Sequence, residues 1–276
     1  MTRRILQIGF VCVLAVSVSS CSKFRKLLRK GQWKDKYEAA IKYYEVKDYF
    51  RAGLLLEDIL PIIRGTEEAE LGNFYFAYCQ FHQRQYILSA HHFKTFITIY
   101  GRSEYVMEAS FMHAYSLYKQ SPKHSLDQSS TYEAVSALQN FINTYPFSEY
   151  AEQADDLIDE LQVKLERKAY DNAKLYYQIK GVKGFKPALV TFENFQRNYP
   201  DSKFNEEIAY LLVETQYNYA RQSISSKQEE RFQETVDRYE QLLKKYPDSK
   251  FLKDAGKIYQ DSLEELSKFA AQKNKS

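Results

Sequence analysis

Apolar residues recur along this chain at helical spacing, and the pattern itself repeats. Twelve residues before Pro146, Pro200 and Pro247 stand Ala134, Ala188 and Thr235; eight before stand Leu138, Phe192 and Tyr239; five before stand Phe141, Phe195 and Leu242. The order is small, large, large. The same order appears as Ser89, Phe93 and Phe96 ahead of Gly101, and as Ala52, Leu56 and Ile59 ahead of Arg64, which makes five copies spaced 37, 45, 54 and 47 residues apart. No strand alternation of useful length competes with it.

The punctuation between copies is also repeated. "YPDSKF" stands at Tyr199 to Phe204 and again at Tyr246 to Phe251, with "YPFSEY" from Tyr145 and "YGRSEY" from Tyr100 as looser versions. Proline lacks a backbone N–H and disfavours helical geometry in the residue before it, so Tyr145, Tyr199 and Tyr246 close helices. Ser103, Ser148, Ser202 and Ser249 are placed to cap the next helix, and Glu104, Glu149, Glu152, Glu206, Glu207 and Asp254 suit the positive end of its dipole. Each copy reads helix, stop, tight turn, helix.

These features resemble tetratricopeptide repeats, whose second helix carries small and large apolar residues before a terminal proline and whose usual period is about 34 residues. The longer spacings imply longer helices or links. The expected fold is therefore all-α: an α-solenoid of about five elongated TPR-like helix pairs, each needing its neighbour to bury its face. We expect residues 37–47 with 49–64, 67–84 with 86–100, and 103–119 with 129–145 to form three pairs. Residues 148–181 read as one long helix or two, with Gly181 and Gly184 as breakers before a helix from Pro187 to Tyr199. Helices at 203–223, 228–246 and 250–270 follow. The corresponding organisation is leader 1–20, tether 21–36, an N-terminal half 37–146, a C-terminal half 147–270 and a disordered tail 271–276.

The N-terminus adds an address. Arg3 and Arg4 precede an apolar run from Ile5 to Val18, the layout of a signal peptide, and it ends in "VSSC" at Cys21. This ending resembles the lipobox of bacterial lipoproteins, which implies covalent lipid on Cys21. Ser22, where an inner-membrane retention signal would carry aspartate, implies delivery to the outer membrane. Lys23, Arg25, Lys26, Arg29, Lys30, Lys34 and Lys36 follow, opposed by Asp35 alone, so the tether is read as facing the periplasm and drawn toward anionic head groups. The formal net charge of +3 hides this asymmetry. Without Arg3, Arg4 and the tether's balance of seven cations and one anion, the body is near −5, the wrong sign for a nucleic-acid binder.

Catalytic chemistry finds no support in the motifs. His91 and His92 are adjacent and point about 100° apart on a helix, while His82, His113 and His124 are scattered. No HExxH, CxxC pair, GxSxG or phosphate loop is present. The acidic run around Asp155, Asp156, Asp159 and Glu160 reads as a solvated face, and Cys79 as a small buried apolar residue. No catalytic residue, metal site or cofactor is expected.

Tyrosine is the abundant residue, with 24 in the chain. Tyr43 and Tyr44, Tyr75 and Tyr78, and Tyr115 and Tyr118 fall on the first helices of the three N-terminal pairs, where tyrosine offers amphipathic contact area at small entropic cost. With the lipobox cysteine, elongated repeats ended by "NTYP", "RNYP" and "KKYP", and "SEYVM" opening the third pair, the chain resembles the BamD family of lipoproteins in the β-barrel assembly machinery of the outer membrane. That resemblance implies a barrel-forming insertase bound through the C-terminal repeats, coarsely residues 187–246. It also implies unfolded outer-membrane proteins received by the N-terminal repeats, for which the six tyrosines are the candidate groove. Two other readings stand beside it: a TPR scaffold lipoprotein for peptidoglycan or division enzymes, and an outer-membrane glycan-binding lipoprotein.

Overall fold

A computed structural model describes residues 23–179 and 182–273, and among these the chain forms helices and no strand. The leader, Cys21, Ser22, Gly181 and residues 274–276, with the expectations placed on them, lie outside the described residues. The helices are α1 (23–30), α2 (Trp33–Glu45), α3 (Tyr49–Ile59), α4 (Glu68–His82), α5 (Tyr86–Ile99), α6 (Val106–Gln120), α7 (Ser129–Thr144), α8 (Ala151–Gln178), α9 (Val182–Asn198), α10 (Asn205–Arg221), α11 (Ser225–Lys245) and α12 (Leu252–Lys273). This is the all-α, TPR-like α-solenoid class expected, built from helices that pack on their sequence neighbours from α2 to α7 and from α9 to α12, with α8 supplying Leu161 to one core and Tyr170 to another.

The repeat positions explain that packing. Ala52, Ser89, Ala134, Ala188 and Thr235 are fully buried at 0% exposure, where each lets a neighbouring helix approach. Leu56, Phe93, Leu138 and Phe192 beside them are buried to the same degree and fill the seams, whereas Tyr239 in the last copy is half-buried.

The chain divides after Leu161 into two compact units. The boundary falls later than the turn at Pro146 because the first turns of α8 bury Ala154, Leu157, Ile158 and Leu161 with Phe111, Leu138 and Phe141 in the core of the first unit. In the second unit, Tyr170, Ala173, Phe192, Phe195, Ile208 and Leu211 share a core, and Val213, Leu242 and Ala255 form a smaller one.

The repeated hexapeptide is a two-point junction. Its serine Oγ donates to a glutamate on an earlier helix: Ser103 to Glu70 at 2.5 Å, Ser202 to Glu166 at 2.6 Å and Ser249 to Glu206 at 2.7 Å. The same oxygen accepts the backbone N–H two residues on, from Tyr105, Phe204 and Phe251 at 3.0, 3.0 and 3.2 Å. The ring of that second residue then stacks on the aromatic four positions beyond the glutamate. These stacks are Tyr105 on Phe74, Phe204 on Tyr170 and Phe251 on Tyr210, with centroids 4.8, 4.2 and 4.9 Å apart. The remaining copy keeps the stack, Tyr150 on Phe111 at 4.7 Å, but Met107 occupies the glutamate's place and the Ser148 hydroxyl is buried without a partner.

Several further sequence expectations change. Within the segment read as a tether, residues 23–30 are helical and Trp33 already opens α2, because Phe24, Leu27, Leu28 and Trp33 pack on the first core. Lys36 is buried and ion-paired with Asp58, so it is not available to head groups. Gly184 is no breaker: α9 starts at Val182 with Pro187 inside it, and a Cβ at Gly184 would stand 2.0 Å from the Ile179 carbonyl oxygen, so glycine permits the close reversal out of α8. At the other end α12 continues to Lys273, past the expected limit of 270, through the helix-favouring Ala271 and Gln272 and an ion pair of Lys273 with Glu229. Residues 148–181, open between one helix and two, contain the single helix α8.

Candidate functional site

The first helices of the three N-terminal pairs, α2, α4 and α6, carry the six tyrosines, and all six are half-buried. Residues three apart share a helix face, so Tyr75 and Tyr78 lie on one face of α4 and Tyr115 and Tyr118 on one face of α6, packed over Phe74 and Phe111, which are buried in the core. Phenol rings with one apolar face against the core and one edge in water are suited to stacking with an incoming aromatic group.

Five of the six belong to one aromatic surface. Tyr75 stacks on Tyr44 at 4.0 Å, and Tyr44 meets the edge of Tyr49 at 5.5 Å. Tyr49 stacks on His82 at 3.9 Å, and His82 touches Phe81 at 5.7 Å and Tyr78 at 6.0 Å. Phe81 lies 5.6 Å from Tyr115, which is stacked on Tyr118 at 5.8 Å. The Lys119 ammonium closes this run of rings, 4.8 Å above Tyr115 and 5.4 Å above Tyr118. Such cation–π contacts hold a charge at the end of an otherwise neutral strip.

Tyr43 does not join it. One residue from Tyr44 and so about 100° away round α2, its ring meets Phe24 of α1 edge-on at 5.7 Å and lies under the Arg51 guanidinium at 5.5 Å. Tyr49, Phe81, His82 and Lys119 are members that sequence reasoning missed. His82 and Lys119 were legible as the positions four beyond Tyr78 and Tyr115.

The strip is set by hydrogen bonds across neighbouring helices. Tyr78 Oη donates to Glu108 of α6, and Tyr118 Oη donates to Glu160 of α8. Burial pushes Tyr78 and Tyr44 well above the ordinary phenol range, aided at Tyr78 by its carboxylate acceptor, and the Glu160 hydrogen bond with burial pushes Tyr118 up to about 12. All three therefore remain neutral near neutral pH, and Tyr78 and Tyr118 keep the protons they donate. Burial, with Lys47 nearby, lowers His82 below its usual value and keeps it an uncharged stacking ring.

Elsewhere the chemistry is plain. No group of three His, Cys, Asp or Glu side chains among the described residues is placed to hold a metal ion. The His92 ring packs edge-on against Phe76 at 4.7 Å, and Cys79 is buried, its thiol pushed up to about 12 by desolvation. A groove of about 900 Å³ between α5, α6 and α7 is lined by Ile97, Leu117, Phe141 and Tyr145 and includes none of the six tyrosines.

Compared with known protein families, the chain matches the model described as "YfiO: Outer membrane lipoprotein" over residues 29–183 and 181–273. No curated protein matches it.

Proposed function

Because the chain belongs to the YfiO family of outer membrane lipoproteins, we propose that it is a non-catalytic component of a β-barrel assembly machinery of the BamD type. In this reading Cys21 carries the lipid, and the protein faces the periplasm from the outer membrane. No helix among the described residues is long and apolar enough to cross a membrane, which accords with an acyl anchor. The second unit, through α9 to α11, binds the barrel-forming insertase. The first unit receives the targeting strands of unfolded outer-membrane proteins.

The observation that carries the substrate role is the run of rings from Tyr75 through Tyr44, Tyr49, His82 and Phe81 to Tyr115 and Tyr118. An extended, aromatic-rich strand can lay its rings on such a surface and gain about 0.5–1.5 kcal/mol per aromatic pair beyond area burial. Tyr75→Leu with Tyr115→Leu keeps apolar bulk and leaves the Tyr78–Glu108 and Tyr118–Glu160 hydrogen bonds in place. We expect the double variant to bind an aromatic-terminated barrel-strand peptide about 10- to 100-fold more weakly while its circular dichroism stays unchanged. Unaltered affinity would remove the strip from the proposal. Affinity purification of the tagged protein from outer membranes tests the wider reading: a large barrel protein with repeated periplasmic domains should be recovered at near-stoichiometric yield. Cell-wall or division enzymes in its place would overturn it.

A further inference from the structure

Helix α1 has two faces of opposite character. At about 100° per residue, Phe24, Leu27 and Leu28 fall within one arc, and they pack on the core of the first unit. Phe24 is held there by the Tyr43 edge and by Arg51, whose guanidinium lies 5.6 Å from its ring. Lys23, Arg25, Lys26, Arg29 and Lys30 fill the opposite arc, all exposed, and none forms an ion pair with another described residue. No acidic residue stands between Lys23 and Lys34. The turn into α2 is tight, since the Gly31 N–H donates to the Leu27 carbonyl at 2.7 Å and a Cβ on Gly31 would stand 2.5 Å from that oxygen. The helix is thus fixed on the body.

We propose that the cationic face of α1 is a membrane-contact surface for anionic phospholipid head groups, holding the first helix pair against the leaflet that takes the acyl chains. The anchor part rests on the lipidation of Cys21 put forward above. Only Ser22 stands between Cys21 and Lys23 in the sequence, and the two residue steps reach at most about 7 Å even when extended. That is shorter than the screening length of about 8 Å at physiological salt. An acylated Cys21 therefore places these cations inside the surface potential of an anionic bilayer, where each contributes roughly fivefold to partitioning. Since α1 is docked, its attraction to the surface acts on the whole first pair instead of on a loose leash.

The test uses residues 22–276 without lipid, which hold every described helix, and measures co-sedimentation with vesicles of phosphatidylcholine containing or lacking phosphatidylglycerol. The sole tryptophan, Trp33 at the start of α2, is half-buried beside α1 and supplies a second readout by its emission. Binding is expected to require phosphatidylglycerol and to fall as salt rises. Arg25→Gln with Arg29→Gln, both exposed, should weaken it about 20-fold or more with an unchanged melting curve. The control Lys244→Gln with Lys245→Gln on α11 should leave it intact. Equal binding to neutral vesicles, an equal loss in the control, or capture by heparin without capture by anionic vesicles would overturn the proposal. The mass of the mature protein reads Cys21 acylation separately: an unmodified cysteine would sink the anchor reading and leave the vesicle result standing.

Discussion

The junction serines provide a matched pair for testing how neighbouring repeats are locked. Ser103 donates to Glu70 and accepts from the Tyr105 N–H, whereas Ser148, at the same place in the next copy, makes neither bond. A hydrogen bond to a charged acceptor contributes about 1.5–3 kcal/mol, and Glu70 is half-exposed, so water replaces part of it and the lower end applies. The accepted N–H adds about 0.5–1 kcal/mol. Ser103→Ala should therefore destabilise the first unit by about 2 kcal/mol, lowering its melting temperature by about 4–8 °C for a unit of this size. Ser148→Ala removes a buried hydroxyl with no partner and should be neutral or slightly stabilising. Both serines lie in the first unit with Trp33, so thermal melts followed by tryptophan fluorescence compare them in one reporter. Met107→Glu supplies the missing acceptor and should raise stability by about 1 kcal/mol, an increment that Ser148→Ala cancels. Equal shifts for Ser103→Ala and Ser148→Ala would refute the junction account.

Two further outcomes follow from residues already described. Tyr44, Tyr78 and Tyr118 have folded-state pKa values raised above the unfolded value of 10.0, so the unfolded chain loses these protons first. Their stabilisation is whole below pH 10.0 and is lost as pH rises toward the folded values, about 12 for Tyr118; absorbance at the tyrosinate band should show them silent until the fold opens, and ionisation in step with the exposed phenols would contradict this. Gly31→Ala forces a Cβ onto the Leu27 carbonyl and should cost about 1–3 kcal/mol at that turn, read as faster tryptic cleavage within α1 while α4 to α7 stay protected.

Much of this architecture was legible because it is written in short-range rules. Proline and serine mark helix ends within a few residues, and the small and large positions ahead of them, such as Ala134 and Leu138, are buried as their offsets implied. What escaped depends on contacts between helices. The apolar triplet Phe24, Leu27 and Leu28 was visible at helical spacing, but five cations in the same eight residues masked it. Tyr43 and Tyr44 look equivalent in the chain, yet rotation about α2 sends them to different neighbours, α1 and Tyr75. The passage of the ring surface through Tyr49 and His82 requires α3 to lie against α4, which no local pattern states. Gly184 reads as a helix breaker until the Ile179 carbonyl is seen beside it.

The junctions also set an order of events for a chain that, on the proposed address, folds after crossing a membrane. Each glutamate meets its serine 33, 36 or 43 residues downstream, never at the far end of the polypeptide. Such short loops close quickly, and a chain released from its N-terminus onward can seal one pair as soon as the next turn emerges. A product that stops before Ser249 would keep its upstream pairs but end in a bare Tyr210 ring and an unsatisfied Glu206, an open edge for quality-control proteases to recognise.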